Sequence, residues 1–167
     1  AAKTIGAVNT IKKINNKYIG FNTDFIGFEK SLIGLIENKK PENALILGSG
    51  GASKAVKYVL NKLNINYSTV SRKSGKSEFI YENLNNDIIY SFKLIINCSP
   101  VGTYPNTNDS PNIPYEYLTE DHILYDLIYN PAETLFLKKG RTSGCKIKNG
   151  LEMLEVQANE AWRIWNS

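Results

Sequence analysis

The chain has 167 residues, 42% hydrophobic and 22% charged, with a formal net charge of +4 at pH 7. That is enough chain for one domain with a good core, or for one domain and part of another. So small a positive surplus, spread along the chain, argues against a nucleic-acid-binding face, and no apolar run approaches the ~18 residues of a membrane span. No secretory signal pattern opens the sequence, so the expectation is a cytoplasmic protein that contacts neither membrane nor nucleic acid.

In chain order, residues Ala7 to Phe21 read as a hairpin. Val8, Ile11, Ile14, Tyr18, Ile19 and Phe21 are strand formers, and Asn15-Asn16 supplies the turn. Phe25, Phe28, Leu32, Leu35 and Ile36 then recur at helical spacing, with Asn22, Thr23 or Asp24 as the cap, and Pro41 marks a boundary. Beyond it, strands and helices alternate. Ala44 to Leu47 is a short, wholly apolar strand of the kind buried in a parallel sheet, Ala52 to Leu63 a helix, and Tyr67 to Val70 a strand. Ser74 to Phe92 is weakly patterned and reads as one or two short helices. Leu94 to Asn97 and Ile123 to Leu127 read as strands, with Gly102 to Pro114 between them as a mobile surface loop. A helix follows, with Asn130 as its cap, Pro131 at its first position and Gly140 as its stop. Cys145 to Lys148 is a last strand. The C-terminal helix carries a stripe of Leu151, Leu154, Ala158, Ala161, Trp162 and Trp165. Alternation of this kind implies an α/β fold, with helices on both faces of a parallel sheet.

One stretch carries chemistry. In "ALILGSGGASKAV" (Ala44 to Val56) a strand stops at Gly48 and a helix opens near Gly51, which gathers free backbone N–H groups at the positive end of a helix. Together these features suit a phosphate. Gly48 permits the tight turn, Gly50 lets backbone approach a pyrophosphate, and Ser53 stands where the usual fingerprint has a third glycine. The alternative is a tight turn without a ligand. The next strand ends in Ser71, Arg72 and Lys73, with Lys76 close behind, where an NAD site would carry a carboxylate. Arginine pairs with a 2′-phosphate and a carboxylate repels it, so NADP is the expected cofactor, against a solvated basic turn. Cys98 and Cys145 match no metal or redox spacing and read as reduced core thiols; no metal site is expected, and His122 reads as structural.

Seven motifs in order carry a resemblance: "IGAVNT", "GFNTDFIGF", "LGSGGASKAV", "SRKSGK", "IINCSPVGT", "YDLIYNPAET" and "NGLEMLEVQANEAW". Together they resemble the shikimate dehydrogenases over nearly the whole chain. The resemblance implies a Rossmann-like NADP-binding domain with a parallel sheet, plus a remnant of an N-terminal α/β substrate domain. The expected division is residues 1–23 in the substrate domain, 24–148 in the NADP-binding domain, and 149–167 as a helix returning to the substrate domain. It also implies NADP-dependent interconversion of 3-dehydroshikimate and shikimate, with a quinate-using relative or a non-catalytic nucleotide-binding module as alternatives. A homodimer is compatible with it.

The resemblance assigns Asn9, Asp24, Tyr129 and Gln157 to the substrate, with Asp24 working beside a catalytic lysine. It assigns Gly48, Ser49, Gly50, Gly51 and Ala52 to the pyrophosphate, and Ser71, Arg72, Lys73 and Lys76 to the adenosine phosphate. Leu127 and Gly150 line the nicotinamide end, with Ser99 and Val101 on a neighbouring loop. Two departures stand out. Ser71-Arg72-Lys73 replaces the family's Asn-Arg-Thr, and the catalytic lysine belongs further upstream than the eight residues before Asn9. The chain is therefore expected to be a C-terminal part of the enzyme, inactive alone.

Overall fold

The computed structural model describes residues 2–37, 39–73, 75 and 77–167. A short helix α1 (Ala2–Ile5) leads into strands β1 (Thr10–Ile14) and β2 (Lys17–Phe21), which pair antiparallel as a separate two-stranded sheet. Asn15 and Asn16 both take positive φ, 47° and 61°, as a tight hairpin turn requires. Helix α2 (Asp24–Ile36) follows; Thr23 stands at its N-cap, and Asn22, one residue before, accepts from the Phe25 N–H through its Oδ1 at 3.2 Å.

Six parallel strands form the main sheet: β3 (Asn43–Leu47), β4 (Asn66–Ser71), β5 (Phe79–Ile80), β6 (Leu94–Asn97), β7 (Ile123–Asp126) and β8 (Lys146–Lys148). Their spatial order is β5-β4-β3-β6-β7-β8, so the sequence order reverses between β3 and β6. In such sheets ligands settle outside the carboxyl ends of the strands at this switch point. Helices α3 (Gly51–Lys62), α4 (Asn86–Ser91), α5 (Leu135–Thr142) and α6 (Leu151–Asn166) complete the chain. Ala44, Leu45, Ile46 and Leu47 are wholly buried, and so are Leu94, Ile95 and Ile96. Alternate residues feed two cores, one under α2, α3 and α6, the other under α4 and α5. Each of these Leu and Ile side chains contributes about 1.5–3 kcal/mol on burial. Among the described residues, no helix is long and apolar enough to cross a membrane.

Three expectations are corrected. The stretch from Ser74 to Phe92 contains an edge strand, β5, besides a 3₁₀ turn at Tyr81–Asn83 and α4. The chain crosses from β4 to β5 in residues 72–78, too few for the helix that ordinarily links parallel strands. Helix α5 starts at Leu135, not beside Pro131. Its cap is Thr134, whose Oγ1 accepts from the Leu137 N–H, and Gly140 lies inside the helix, where a Cβ would strike the Leu124 side chain. Finally, the buried face of α6 overlaps the anticipated stripe only at Ala161 and, in part, at Leu154. Met153 and Ala161 pack inward with Val156, Gln157 and Ile164 half-buried, whereas Leu151, Trp162 and Trp165 are exposed. The inner face meets α2 so closely that a Cβ on Gly27 would overlap the Met153 carbonyl.

Candidate active site

The glycine loop stands at the carboxyl end of β3. Gly48 has φ +105°, a conformation that excludes an ordinary side chain, and its N–H donates to the Val70 carbonyl at 2.9 Å. Gly50 caps α3 without any side-chain cap, so the first turn of the helix offers its amides outward. A Cβ on Gly50 or Gly51 would meet nothing within 4 Å, and Ser49, Gly50 and Gly51 are exposed. The space above the loop is open to a phosphate. Ser53 is buried and its Oγ donates to the Gly50 carbonyl at 2.6 Å, which fastens the loop to the helix.

A cavity of about 590 Å³ runs from this loop across the strand ends. Gly48, Ser49, Gly50, Ser71, Arg72, Ser99 and Val101 line it, as the sequence anticipates. Tyr81, Glu82, Cys98 and Ser110 to Asn112 line it too, and sequence reasoning misses them. The only available signal was position. Tyr81 follows an unrecognised strand, and Ser110 to Asn112 belong to a loop with no periodicity. Ser71 turns its hydroxyl inward, onto the Lys73 carbonyl and Ser77 Oγ, both at 2.7 Å, so it shapes the basic turn. Arg72 and Lys73 are exposed, while Lys76 lies outside the described residues. Ala52 sits in the first turn of α3. Cys98 falls just past β6 and not within it, half-buried against the cavity. Cys145 is buried, donates to the Thr119 carbonyl, and its thiol is pushed up to about 11 by burial.

A second cavity, about 440 Å³, adjoins the first and shares Pro100 with it. Thr103, Tyr104, Leu127, Ile128, Tyr129 and Asn130 complete its lining. Gly150 closes onto this segment. Its N–H donates to the Ile128 carbonyl at 3.0 Å, and a Cβ there would overlap the Leu127 carbonyl. The NGL motif thus needs glycine for close contact between two backbone segments, where Gly50 needs it for open space.

A third group gathers residues from three distant segments. Asn9 Nδ2 donates to Asp24 Oδ1 at 2.8 Å and to Gln157 Oε1 at 3.3 Å, while Asn9 Oδ1 accepts from the Thr23 N–H at 2.8 Å. Asn9 is held by the end of β2, through its N–H to the Phe21 carbonyl. Asp24 opens α2, and Gln157 lies in the inner face of α6. Burial lifts the Asp24 carboxyl above its ordinary range and the Asn9 amide draws it back. The three form a polar cluster at the rim where hairpin, α2 and α6 meet. Tyr129 is half-exposed in the second cavity, and among the described residues no hydrogen bond joins it to this cluster.

The chain is 42% identical to the shikimate dehydrogenase (NADP(+)) of Methanococcus aeolicus, over 98% of its own length and 64% of that protein. It superposes with a TM-score of 0.84 on a shikimate dehydrogenase crystallised with NADP+, at 36% identity, covering 98% of this chain and 62% of that one. The chain is a homologue of the shikimate dehydrogenases. The shikimate dehydrogenase of Thermus thermophilus, solved with NADP(H) and shikimate, superposes with a TM-score of 0.81 at 31% identity, over 98% of this chain and 64% of its own. No family model matches the chain. It spans about 64% of the length of the curated shikimate dehydrogenases that it matches.

Proposed function

We propose that this chain binds NADP across the carboxyl ends of β3, β4 and β6, and that the protein it represents reduces 3-dehydroshikimate to shikimate. The observation that carries this reading is the uncapped start of α3 under an open glycine loop, with Arg72 lining the same cavity. Pyrophosphate oxygens would take the outward amides of Gly50, Gly51 and Ala52, and Arg72 with Lys73 would hold the 2′-phosphate. The adenosine half then lies by Tyr81 and the nicotinamide half by Leu127 and Gly150. Residues 1–23 and 149–167 belong on this reading to the substrate side, and 24–148 to the cofactor body.

NADPH, when bound, supplies the hydride. The chain's own residues orient what receives it. Asn9 and Gln157 already exchange a hydrogen bond that a substrate hydroxyl can replace, and Asp24 can accept from a second hydroxyl. Beside the carboxylate an ammonium would stay charged and ready to protonate the new alkoxide. The family places that ammonium on a lysine with no counterpart among residues 1–8. The rest of the rate enhancement is placement: two reactants held in contact at a fixed angle.

Calorimetric titration of the 167-residue chain is expected to show saturable binding of NADP+, stronger than that of NAD+, with shikimate oxidation at background. Absence of saturation up to millimolar NADP+ on folded protein sinks the reading. A cytoplasmic homodimer goes with this proposal, and light scattering of the chain at several concentrations tests the association.

A further inference from the structure

We propose that Asp126 is a positioning residue, a buried carboxylate that locks together the two loops between which the nicotinamide end of the dinucleotide and the substrate would meet. This rests on the NADP reading above and adds a residue to which neither the resemblance nor the comparisons assign a role. Asp126 ends β7 and pairs in register with Asn97, the end of β6; both are wholly buried.

Each oxygen of the carboxylate has a task. Oδ1 accepts from Asn97 Nδ2 at 3.0 Å and from the Ile128 N–H at 3.1 Å, and Oδ2 accepts from Thr134 Oγ1 at 2.6 Å. An ionised carboxylate only accepts, so it dictates the orientation of the Asn97 amide: nitrogen toward Asp126, oxygen away. That oxygen in turn accepts from the Ser99 N–H at 3.0 Å and Ser99 Oγ at 2.7 Å. The chain of bonds therefore runs from Asp126 through Asn97 into the loop bearing Ser99. On the other side, Ile128 and Thr134 bracket the loop bearing Tyr129, and Thr134 caps α5. The loops then meet directly, the Tyr104 N–H donating to the Asn130 carbonyl at 3.2 Å. They face each other across the second cavity.

A carboxylate is an expensive way to close two loops. Burial pushes its carboxyl up to about 6, even with three donors drawing it down. What the ionised group adds is direction. Replaced by an amide, it presents an N–H₂ on one side: in place of Oδ1 it would face two donors and Asn97 must turn, and in place of Oδ2 the Thr134 hydroxyl must redirect its hydrogen and no longer donates to this group.

The test titrates the 167-residue chain and its variants with NADP+ and with 2′,5′-ADP, which probes the adenosine half alone. The unmodified chain is expected to bind both. Asp126→Asn should bind 2′,5′-ADP within about twofold of the original and NADP+ about tenfold more weakly, a difference of ~1.4 kcal/mol. NADPH bound to it should lose the change in nicotinamide fluorescence. Should Asp126→Asn not fold, Thr134→Val, nearly isosteric, removes one arm and is expected to give the same split in smaller measure; Thr134→Ser should restore it. Parallel losses for both ligands, or unchanged affinities, overturn the positioning role while leaving the cofactor site standing. Failure of the unmodified chain to bind either ligand removes the cofactor reading and this inference with it.

Discussion

The sheet body and the hairpin face of this molecule treat apolar side chains in opposite ways. In β3 and β6 every apolar residue is wholly covered by the chain's own helices. On the hairpin and the outer flank of α6, Val8, Ile11, Tyr18, Trp162 and Trp165 are between 54% and 76% exposed. Both regions are rich in apolar residues at regular spacing. Periodicity reports that a face is apolar, and says nothing about whether the same chain supplies its cover.

The largest effects should come from breaking the body. Leu45→Ala removes a fully buried side chain between β4 and β6 and should cost about 2–5 kcal/mol in denaturant unfolding. Gly150→Ala drives a methyl into the Leu127 carbonyl, and overpacking of this kind costs about 1–3 kcal/mol or more. Gly50→Ala is the control. Its Cβ meets open space, so stability should change by less than about 1 kcal/mol, whereas NADP+ affinity falls because the methyl stands where the pyrophosphate would lie. A Gly50 variant that lost stability as Gly150→Ala does would erase the distinction between the two glycines.

Next in size is the cofactor edge of the body. Arg72 is exposed beside the cavity, so Arg72→Ala should leave folding intact and weaken NADP+ by about 10- to 100-fold, the worth of a charged hydrogen-bonding pair. NAD+ has no 2′-phosphate and should change little. Titrating both coenzymes against the variant decides it; equal losses would detach Arg72 from the phosphate.

These residues also mark how far sequence carried. The glycine loop was legible because the turn, the strand before it and the helix after it all follow from local chemistry. Asn9, Asp24 and Gln157 could be named only through resemblance, since nothing local brings positions 9 and 157 within a hydrogen bond. The α5 boundary went wrong because Asn130-Pro131 imitates a helix start, while the actual cap, Thr134, depends on Asp126 from another strand. The α6 stripe was only partly the buried side: Ala161 and, in part, Leu154 turn inward, but Leu151, Ala158, Trp162 and Trp165 stay exposed, and Met153 and Gln157 from beside the stripe take their place against the body. Tyr81 in the cavity was out of reach, because its placement follows from a two-residue edge strand with no signature of its own.

A smaller effect should follow pH. His122 is wholly buried at the entry to β7, its Nδ1 accepting from the Thr119 N–H at 3.0 Å and its Nε2 facing the Ile89 carbonyl at 3.0 Å. That arrangement requires the neutral ring with the proton on Nε2, and burial holds its pKa below 6.5. The unfolded chain takes up the proton more readily than the folded one. Stability is therefore full above about pH 6.5 and declines as pH falls from there toward the lower folded value. Asp126 works in the other direction, because its carboxyl is raised to about 6 and the folded state gains protons first. Between pH 7.5 and 5 the two groups oppose each other, so the test is the difference: His122→Gln should lose less melting temperature, or gain more, than the original chain as pH falls. Parallel curves would free His122 of the effect.

The smallest expected change is on the hairpin face, and it tests the comparison from its weak side. Tyr18 is 76% exposed on β2 and Trp162 67% exposed on α6, so neither removes much apolar surface from water within this chain. Tyr18→Ser and Trp162→Lys should each shift unfolding free energy by no more than about 0.5 kcal/mol, as surface substitutions do. Trp165 differs, since its Nε1 donates to the Ile11 carbonyl at 3.0 Å and fastens α6 to β1. Trp165→Phe keeps an aromatic ring, smaller than the indole, and drops that bond, which should cost about 0.5–1.5 kcal/mol. If Tyr18→Ser instead destabilised the 167-residue chain as much as Leu45→Ala, its side chain would have to be covered in solution, by a second copy or by a rearranged hairpin. Repeating the measurement at a tenfold lower protein concentration separates those two, because only cover by another copy weakens on dilution.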